Sequence, residues 1–169
     1  SYSSHDFYLF HYQSATFVPC YPIKTMNSRE NTSNFGNSMT SVGGGCSCGK
    51  HRFCCLGLPQ TVFACHCREC QKMSGSAFLV WLEFRQEQVD LDLSRMKQYS
   101  RKGESGNRVN LYFCIDCGNS FYGTIEGRPG VFLTSGTFET TDWIKPMAHL
   151  WTDSAQHWLK SPDGGLNVF

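Results

Sequence analysis

Seven of the ten cysteines in this 169-residue chain fall into three tight groups whose spacing suits metal binding. The groups are Cys46 with Cys48, then Cys65 with Cys67 and Cys70, then Cys114 with Cys117. Cysteines separated by only one or two residues rarely form a disulfide with each other without strain, but their thiolates converge easily on one ion. Because a disulfide framework would spread its cysteines along the chain, the spacing favours zinc ligands over structural disulfides.

The third group predicts a zinc knuckle. Cys114 and Cys117 lie between two predicted strands, and Gly118 after them permits a tight turn. A redox-active pair with the same spacing would need a βαβ context, which the surrounding strand pattern does not provide. One knuckle supplies two ligands and a closed structural site needs four. Spacing alone does not decide whether the first or the middle group completes the site.

The middle group offers three thiolates within six residues. If the other four cysteines share one ion, then Cys65, Cys67 and Cys70 remain, and three protein ligands with an open fourth position are typical of a catalytic zinc. An ion held by three thiolates is a softened Lewis acid that suits a substrate thiolate or a carbonyl oxygen. His66 lies between two ligands, so we expect its side chain to point away from the ion. A closed, purely structural second site is equally consistent with the spacing.

The rest of the chain reads as short strands separated by turns. Strands are predicted at 51–56, 61–64, 77–84, 89–93, 96–100, 107–113, 120–125, 131–135 and 149–152, and short helical pieces around 140–143 and 154–158. This pattern predicts a mainly β, mostly antiparallel domain. Residues 1–40 are polar and turn-rich, so we expect a flexible or atypical N-terminal extension before a zinc-binding catalytic domain at 41–169.

Composition excludes several classes of partner. The net charge is +1 and the basic residues are scattered, which argues against nucleic-acid binding. Arg101, Lys102 and Arg108 are interpreted as solvated loop charges rather than as an anion site, and His149 as a hydrogen-bonded histidine of the β domain. No apolar run approaches the roughly 20 residues of a membrane span, and no signal-peptide pattern opens the chain, so we expect a cytoplasmic protein without membrane contact.

The three cysteine groups stand in sequence contexts that resemble one known family. The contexts are GGCSCG at 44–49, CHCRECQKMSGSAF at 65–78 and FCIDCG at 113–118, followed by GTF at 136–138 and HLWT at 149–152. Together they resemble the glutathione-dependent formaldehyde-activating enzyme family, also called the centromere-protein-V-like domain, over about residues 43 to 166. Three ordered clusters make this resemblance specific.

The resemblance implies a β-tent fold of small antiparallel sheets with zinc knuckles, and two zinc ions per chain. By this resemblance, the structural zinc is held by Cys46, Cys48, Cys114 and Cys117, and the catalytic zinc by Cys65, Cys67 and Cys70. The implied activity is that of a carbon–sulfur lyase resembling S-(hydroxymethyl)glutathione synthase. Its partners would be a small-molecule thiol such as glutathione and a small electrophile such as formaldehyde, and a homo-oligomer is allowed. The alternative function is a non-catalytic, zinc-stabilised binding module.

Overall fold

The elements that position the cysteine groups are ten short strands and one helix. A computed structural model describes residues 41–159, so the predicted extension at 1–40 lies outside the described residues. The strands are β1 (Ser41–Gly45), β2 (Arg52–Leu56), β3 (Thr61–Cys65), β4 (Leu79–Arg85), β5 (Val89–Leu91), β6 (Met96–Lys102), β7 (Arg108–Cys114), β8 (Ser120–Ile125), β9 (Gly130–Thr134) and β10 (Ala148–Leu150), and the helix is α1 (Arg68–Ser74). The expectation of a mainly β fold is confirmed.

The strands form two sheets. The smaller sheet has the order β1-β2-β5, and the larger has the order β10-β3-β4-β9-β8-β7-β6. Every pairing is antiparallel except that of β10 with β3, which is parallel and sets Leu150 opposite Cys65. The last strand therefore returns to the edge where the middle cysteine group begins.

The larger sheet has two different faces because side chains alternate along each strand. On β9, Val131 and Leu133 belong to the main hydrophobic core, whereas Phe132 between them belongs to a second cluster on the opposite face. The same alternation on β4 sends Leu82 to the core and Trp81 to the second cluster. The second cluster contains the three middle cysteines. One face of the sheet therefore packs into the main core, and the other face carries the middle cysteine group.

The core joins the two sheets through aromatic side chains. The ring of Phe53 on β2 lies 5.8 Å from that of Phe121 on β8 and 5.0 Å from that of Phe138. Gly44 lets β1 approach this cluster closely, because a Cβ at that position would lie 2.2 Å from the carbonyl oxygen of Thr137 and 2.4 Å from the Phe53 ring. The glycine run before the first cysteine pair is thus a packing requirement of strand β1.

The predicted strands agree with the structure to within a few residues, whereas the helices do not. The predicted helical pieces around 140–143 and 154–158 are wrong, because the first is a turn and the second holds only the end of a one-turn 3-10 helix at 152–154 and a later turn. The helix that does form, α1, begins within the middle cysteine group and continues to Ser74, where no helix was predicted. Within residues 41–159, no helix has the length and apolarity needed to cross a membrane.

Candidate metal centres and the cavity beside them

The first and third cysteine groups meet in one four-sulfur cluster. The Sγ atoms of Cys46, Cys48, Cys114 and Cys117 all lie within 4.8 Å of one another. The distance is 3.4 Å from Cys46 to Cys48 and 3.7 Å from Cys48 to Cys114. A tetrahedral zinc with Zn–S bonds of about 2.3 Å would separate its sulfurs by roughly 3.8 Å. The donor set and its spacing therefore fit a tetrahedral zinc ion.

Two turns that each end in a glycine present these sulfurs. Gly49 and Gly118 each follow the second cysteine of a pair, with φ angles of 74° and 72° that favour glycine. Each glycine N–H donates to the carbonyl oxygen of the first cysteine of its pair, Cys46 or Cys114, at 2.9 Å. The backbone N–H of His51 also donates to the Cys46 sulfur at 3.3 Å. Both pairs are thus knuckles, although the sequence pattern identified only the second as one.

The four-sulfur cluster connects the two sheets. Cys46 and Cys48 lie in the turn between β1 and β2 of the smaller sheet, and Cys114 ends β7 of the larger sheet. Lys50 and Asp116 add an exposed ion pair of 2.6 Å between the same two turns. An ion bound here would close a long loop of the chain, which is the arrangement in which a metal clip stabilises a fold most.

The middle group forms a separate three-sulfur cluster. Cys65 ends β3, Cys67 is the N-cap residue of α1, and Cys70 lies in the first turn of that helix. Each is 6% exposed, and their three sulfurs lie within 4.8 Å of one another. The Cys70 N–H donates to the Cys67 sulfur at 3.4 Å. The three sulfurs of this buried segment are therefore close enough together to hold one metal ion.

The protonation of these thiols shows why the cluster suits a cation. Hydrogen bonds from the Cys65 and Cys70 thiols lower the pKa of Cys67, while the hydrogen bond with Cys67 raises the pKa of Cys65. One thiolate is therefore stabilised by its neighbours at the expense of the others. Three thiolates packed this closely need a positive ion to ionise together, and soft thiolate sulfur is a donor that zinc prefers.

His66 lies between two of these cysteines but is not part of the sulfur cluster. The His66 ring is fully buried. Its Nε2 atom shares a 2.9 Å hydrogen bond with the Nδ1 atom of His149 on β10. Burial lowers the pKa of His66, and His149 lowers it further. The Gln71 side chain donates to the His66 carbonyl oxygen at 2.6 Å and to that of Ser154 at 2.8 Å. These contacts fix the segment that carries the three thiols.

A cavity of about 450 Å³ opens beside the three-sulfur cluster on the second face of the larger sheet. Its lining consists of Phe63, Cys65, Cys67, Cys70, Met73, Trp81, Arg101, Gly103, Glu104, Ser105, Val109, Leu111, Gly123, Thr124, Ile125, Arg128, Phe132, His149, Leu150 and Trp151. All three middle cysteines line it, and none of the four knuckle cysteines does. The size lies in the range of small-molecule sites. An ion at the three-sulfur cluster would face this cavity.

Several lining residues differ from their sequence-based interpretation. Arg101 was interpreted as a solvated charge, but it is partly buried in the cavity wall, while its neighbour Lys102 is exposed and does not line the cavity. His149, interpreted as an ordinary histidine of the β domain, lines the cavity and contacts His66. Arg128 was not singled out at all, and Trp151 entered only as part of the stretch HLWT at 149–152. Neighbouring side chains of a strand point to opposite faces of the sheet, so the sequence could have placed Arg101 and Lys102 of β6 on different faces. The sequence pattern does not say which of the two faces holds a site.

Comparison with known proteins places the chain in a family. Residues 41–154 match the family described as glutathione-dependent formaldehyde-activating enzyme. A crystal structure of a Rhodobacter sphaeroides protein is similar at 16% sequence identity and a TM-score of 0.46, covering 57% of this chain and 87% of that one. No significant match was found among curated proteins.

Proposed function

The chain belongs to the glutathione-dependent formaldehyde-activating enzyme family, and from this premise we propose that it is a zinc-dependent carbon–sulfur lyase. The proposed reaction adds a thiol to formaldehyde or a related small electrophile. The observation that carries the proposal is the division of the seven cysteines: Cys65, Cys67 and Cys70 line a substrate-sized cavity, and the other four do not. Three ligands beside a cavity are the arrangement of a catalytic metal, whereas four ligands away from it are the arrangement of a structural one.

The reaction is balanced without any oxidant or further reactant. A carbon–sulfur bond forms between the thiol and the aldehyde carbon, the π bond of the C=O group breaks, and the thiol proton ends on the oxygen. A zinc ion at the three-sulfur cluster would supply Lewis acidity, which favours the thiolate form of a bound thiol or polarises a carbonyl oxygen.

The residues of the chain would position the reactants and move the proton. The walls of the cavity hold thiol and aldehyde together, which replaces an encounter in solution by one oriented step. Among the described residues of the lining, His149 supplies an imidazole. In the tautomer in which Nδ1 of His149 donates to Nε2 of His66, Nε2 of His149 has a free lone pair and can accept the thiol proton and return it to the product oxygen.

The test mixes the purified, zinc-loaded full chain with formaldehyde and each of a panel of thiols that includes glutathione. The rate of adduct formation is measured by exchange spectroscopy. We expect exchange faster than the uncatalysed rate, and a large loss in Cys67→Ser. Ser76→Ala is the matched control, since Ser76 is exposed and lies shortly after the same helix. If no thiol in the panel reacts faster than without protein, the activity is wrong and the zinc-stabilised binding module becomes the better description.

A further inference from the structure

The cavity beside the three-sulfur cluster has an aromatic and aliphatic wall. Phe132 packs edge-on against Phe63 at 6.2 Å and against Trp81 at 6.5 Å between ring centroids. Trp81, Phe132 and Leu111 are buried, so the wall is formed by well-packed side chains of the sheet. Apolar substrate surface gains about 25 cal/mol for each Å² that it buries on such a wall, whereas charged groups lose hydration there.

The charged groups of the lining leave room for one anion. Arg128 forms an ion pair with Glu83 at 3.3 Å, and its guanidinium lies 5.5 Å from the centroid of the Phe132 ring. Arg101, by contrast, forms no ion pair with a carboxylate within residues 41–159, and its guanidinium donates a 3.5 Å hydrogen bond to the Lys102 carbonyl oxygen. After Lys72, its charge also lowers the pKa of Glu69. Glu104 adds a negative charge to the same lining and repels carboxylates, so the lining favours a ligand with few negative charges.

Trp151 completes the wall at the edge formed by β10. Its backbone is left-handed, with φ 59° and ψ 44°, and it is the non-glycine residue with positive φ among the described residues. Such a conformation costs on the order of 1–3 kcal/mol in a bulky residue, and residues of this kind cluster at binding sites. The indole is 45% exposed and lines the cavity, so a large aromatic surface is held beside the substrate volume at a cost in strain.

We propose that the thiol used by this protein has an apolar, aromatic body and a single carboxylate, and that Arg101 binds this carboxylate. The inference rests on the proposed function and deepens it by naming the thiol. Glutathione carries two carboxylates and an ammonium group on a polar peptide, which matches neither the apolar wall nor one guanidinium, that of Arg101, without an ion pair among the described residues. A thiol such as 2-sulfanyl-3-phenylpropanoate matches both, because its phenyl group covers the wall and its carboxylate pairs with a guanidinium.

Binding is tested first, with a probe that cannot react. The probe is 2-hydroxy-3-phenylpropanoate, in which a hydroxyl replaces the thiol, and its uncharged amide is the comparison ligand. Quenching of tryptophan fluorescence reports binding, since Trp81 and Trp151 line the cavity. We expect Arg101→Gln to weaken binding of the carboxylate at least about tenfold and to leave the amide unchanged. Lys102→Gln removes the same charge from the neighbouring exposed position of the strand and should change neither.

Turnover is tested second, with formaldehyde and either 2-sulfanyl-3-phenylpropanoate, its amide or glutathione. We expect the aromatic carboxylate thiol to react fastest with the zinc-loaded protein, and Arg101→Gln to remove its advantage over the amide. A preference for glutathione, or an equal loss of both probes in Arg101→Gln, would overturn the inference. Selective probe binding without turnover of any thiol would support the cavity assignment while refuting the lyase reaction, so the two failures are distinguishable.

Discussion

The two sulfur clusters should contribute very differently to stability. The perturbation is one cysteine-to-serine change in each cluster, Cys114→Ser for the four-sulfur cluster and Cys67→Ser for the three-sulfur cluster. Serine at position 67 keeps an N-cap acceptor for α1, since serine is a preferred N-cap residue, so this variant isolates the loss of a metal ligand.

The expected magnitudes follow from the loops that each ion closes. Cys48 and Cys114 are 66 residues apart, whereas Cys65 and Cys70 are five apart. The chain-entropy relation for a cross-link gives about 4 kcal/mol for the longer loop and about 2 kcal/mol for the shorter one. We therefore expect Cys114→Ser to lower the free energy of unfolding by about 4 kcal/mol or more, a large share of the 5–15 kcal/mol that is typical of a domain. Cys67→Ser should cost about 2 kcal/mol or less.

The assay is urea unfolding followed by circular dichroism, with zinc content measured on the same samples. Zinc content should fall from two ions to one in either variant, while only Cys114→Ser lowers the unfolding midpoint strongly. Asp116→Asn is the control, because it removes the exposed ion pair at the same knuckle without removing a ligand. It should leave zinc content unchanged. An equal or larger loss of stability in Cys67→Ser would refute the division into a structural and a non-structural site.

Three further predictions concern other parts of the molecule. Gly44→Ala should lower the unfolding midpoint strongly, since the new Cβ would meet the Thr137 carbonyl oxygen at 2.2 Å, while Gly136→Ala, which meets nothing within 4 Å, should not. Burial raises the pKa of Cys55 to about 12 from 9.0, so its thiol stays protonated and should resist iodoacetamide in the native state until global unfolding; labelling at the rate of an exposed cysteine would contradict this. Above pH 9, Cys55 of the unfolded chain loses its proton while Cys55 of the folded chain keeps it. The free energy of unfolding should therefore fall as the pH rises from about 9 to about 12. Trp151→Gly should weaken binding of the phenyl probe with little loss of stability in urea unfolding, because relief of backbone strain offsets the lost contact; unchanged probe binding would count against the assigned wall.

The sequence determined the local parts of the sites. Cysteines separated by one or two residues can present their sulfurs on the same side of one turn, which is why a knuckle at the third group and a three-sulfur segment in the middle follow from spacing. Alternating apolar residues likewise predicted most strands, because a half-buried strand has a period of two. The exception is β1, whose SVGGG sequence carries no alternation and whose close packing is set by the distant Phe53 and Thr137.

The helix α1 shows where local rules failed. Its seven residues are too few for a periodic signal, and its N-cap is Cys67 rather than one of the usual capping residues. The helix forms because tertiary contacts hold it: the Gln71 side chain donates to the carbonyl oxygens of His66 and Ser154, and Cys67 and Cys70 share one sulfur cluster. The predicted helical pieces at 140–143 and 154–158 form turns instead, although the second one also contacts Gln71 through Ser154 and Gln156.

Spacing determined that seven cysteines suit metal binding, but the tertiary structure decided how they divide. The pairing of Cys48 with Cys114 depends on the packing of one sheet against the other, and no rule of local spacing reaches across 66 residues. Strand order likewise decided that Arg101, at one edge of the larger sheet, and His149, at the other, line the same cavity as Cys67. A pattern along the chain gives the face on which a side chain lies, whereas only the folded sheet shows which of its two faces encloses a site.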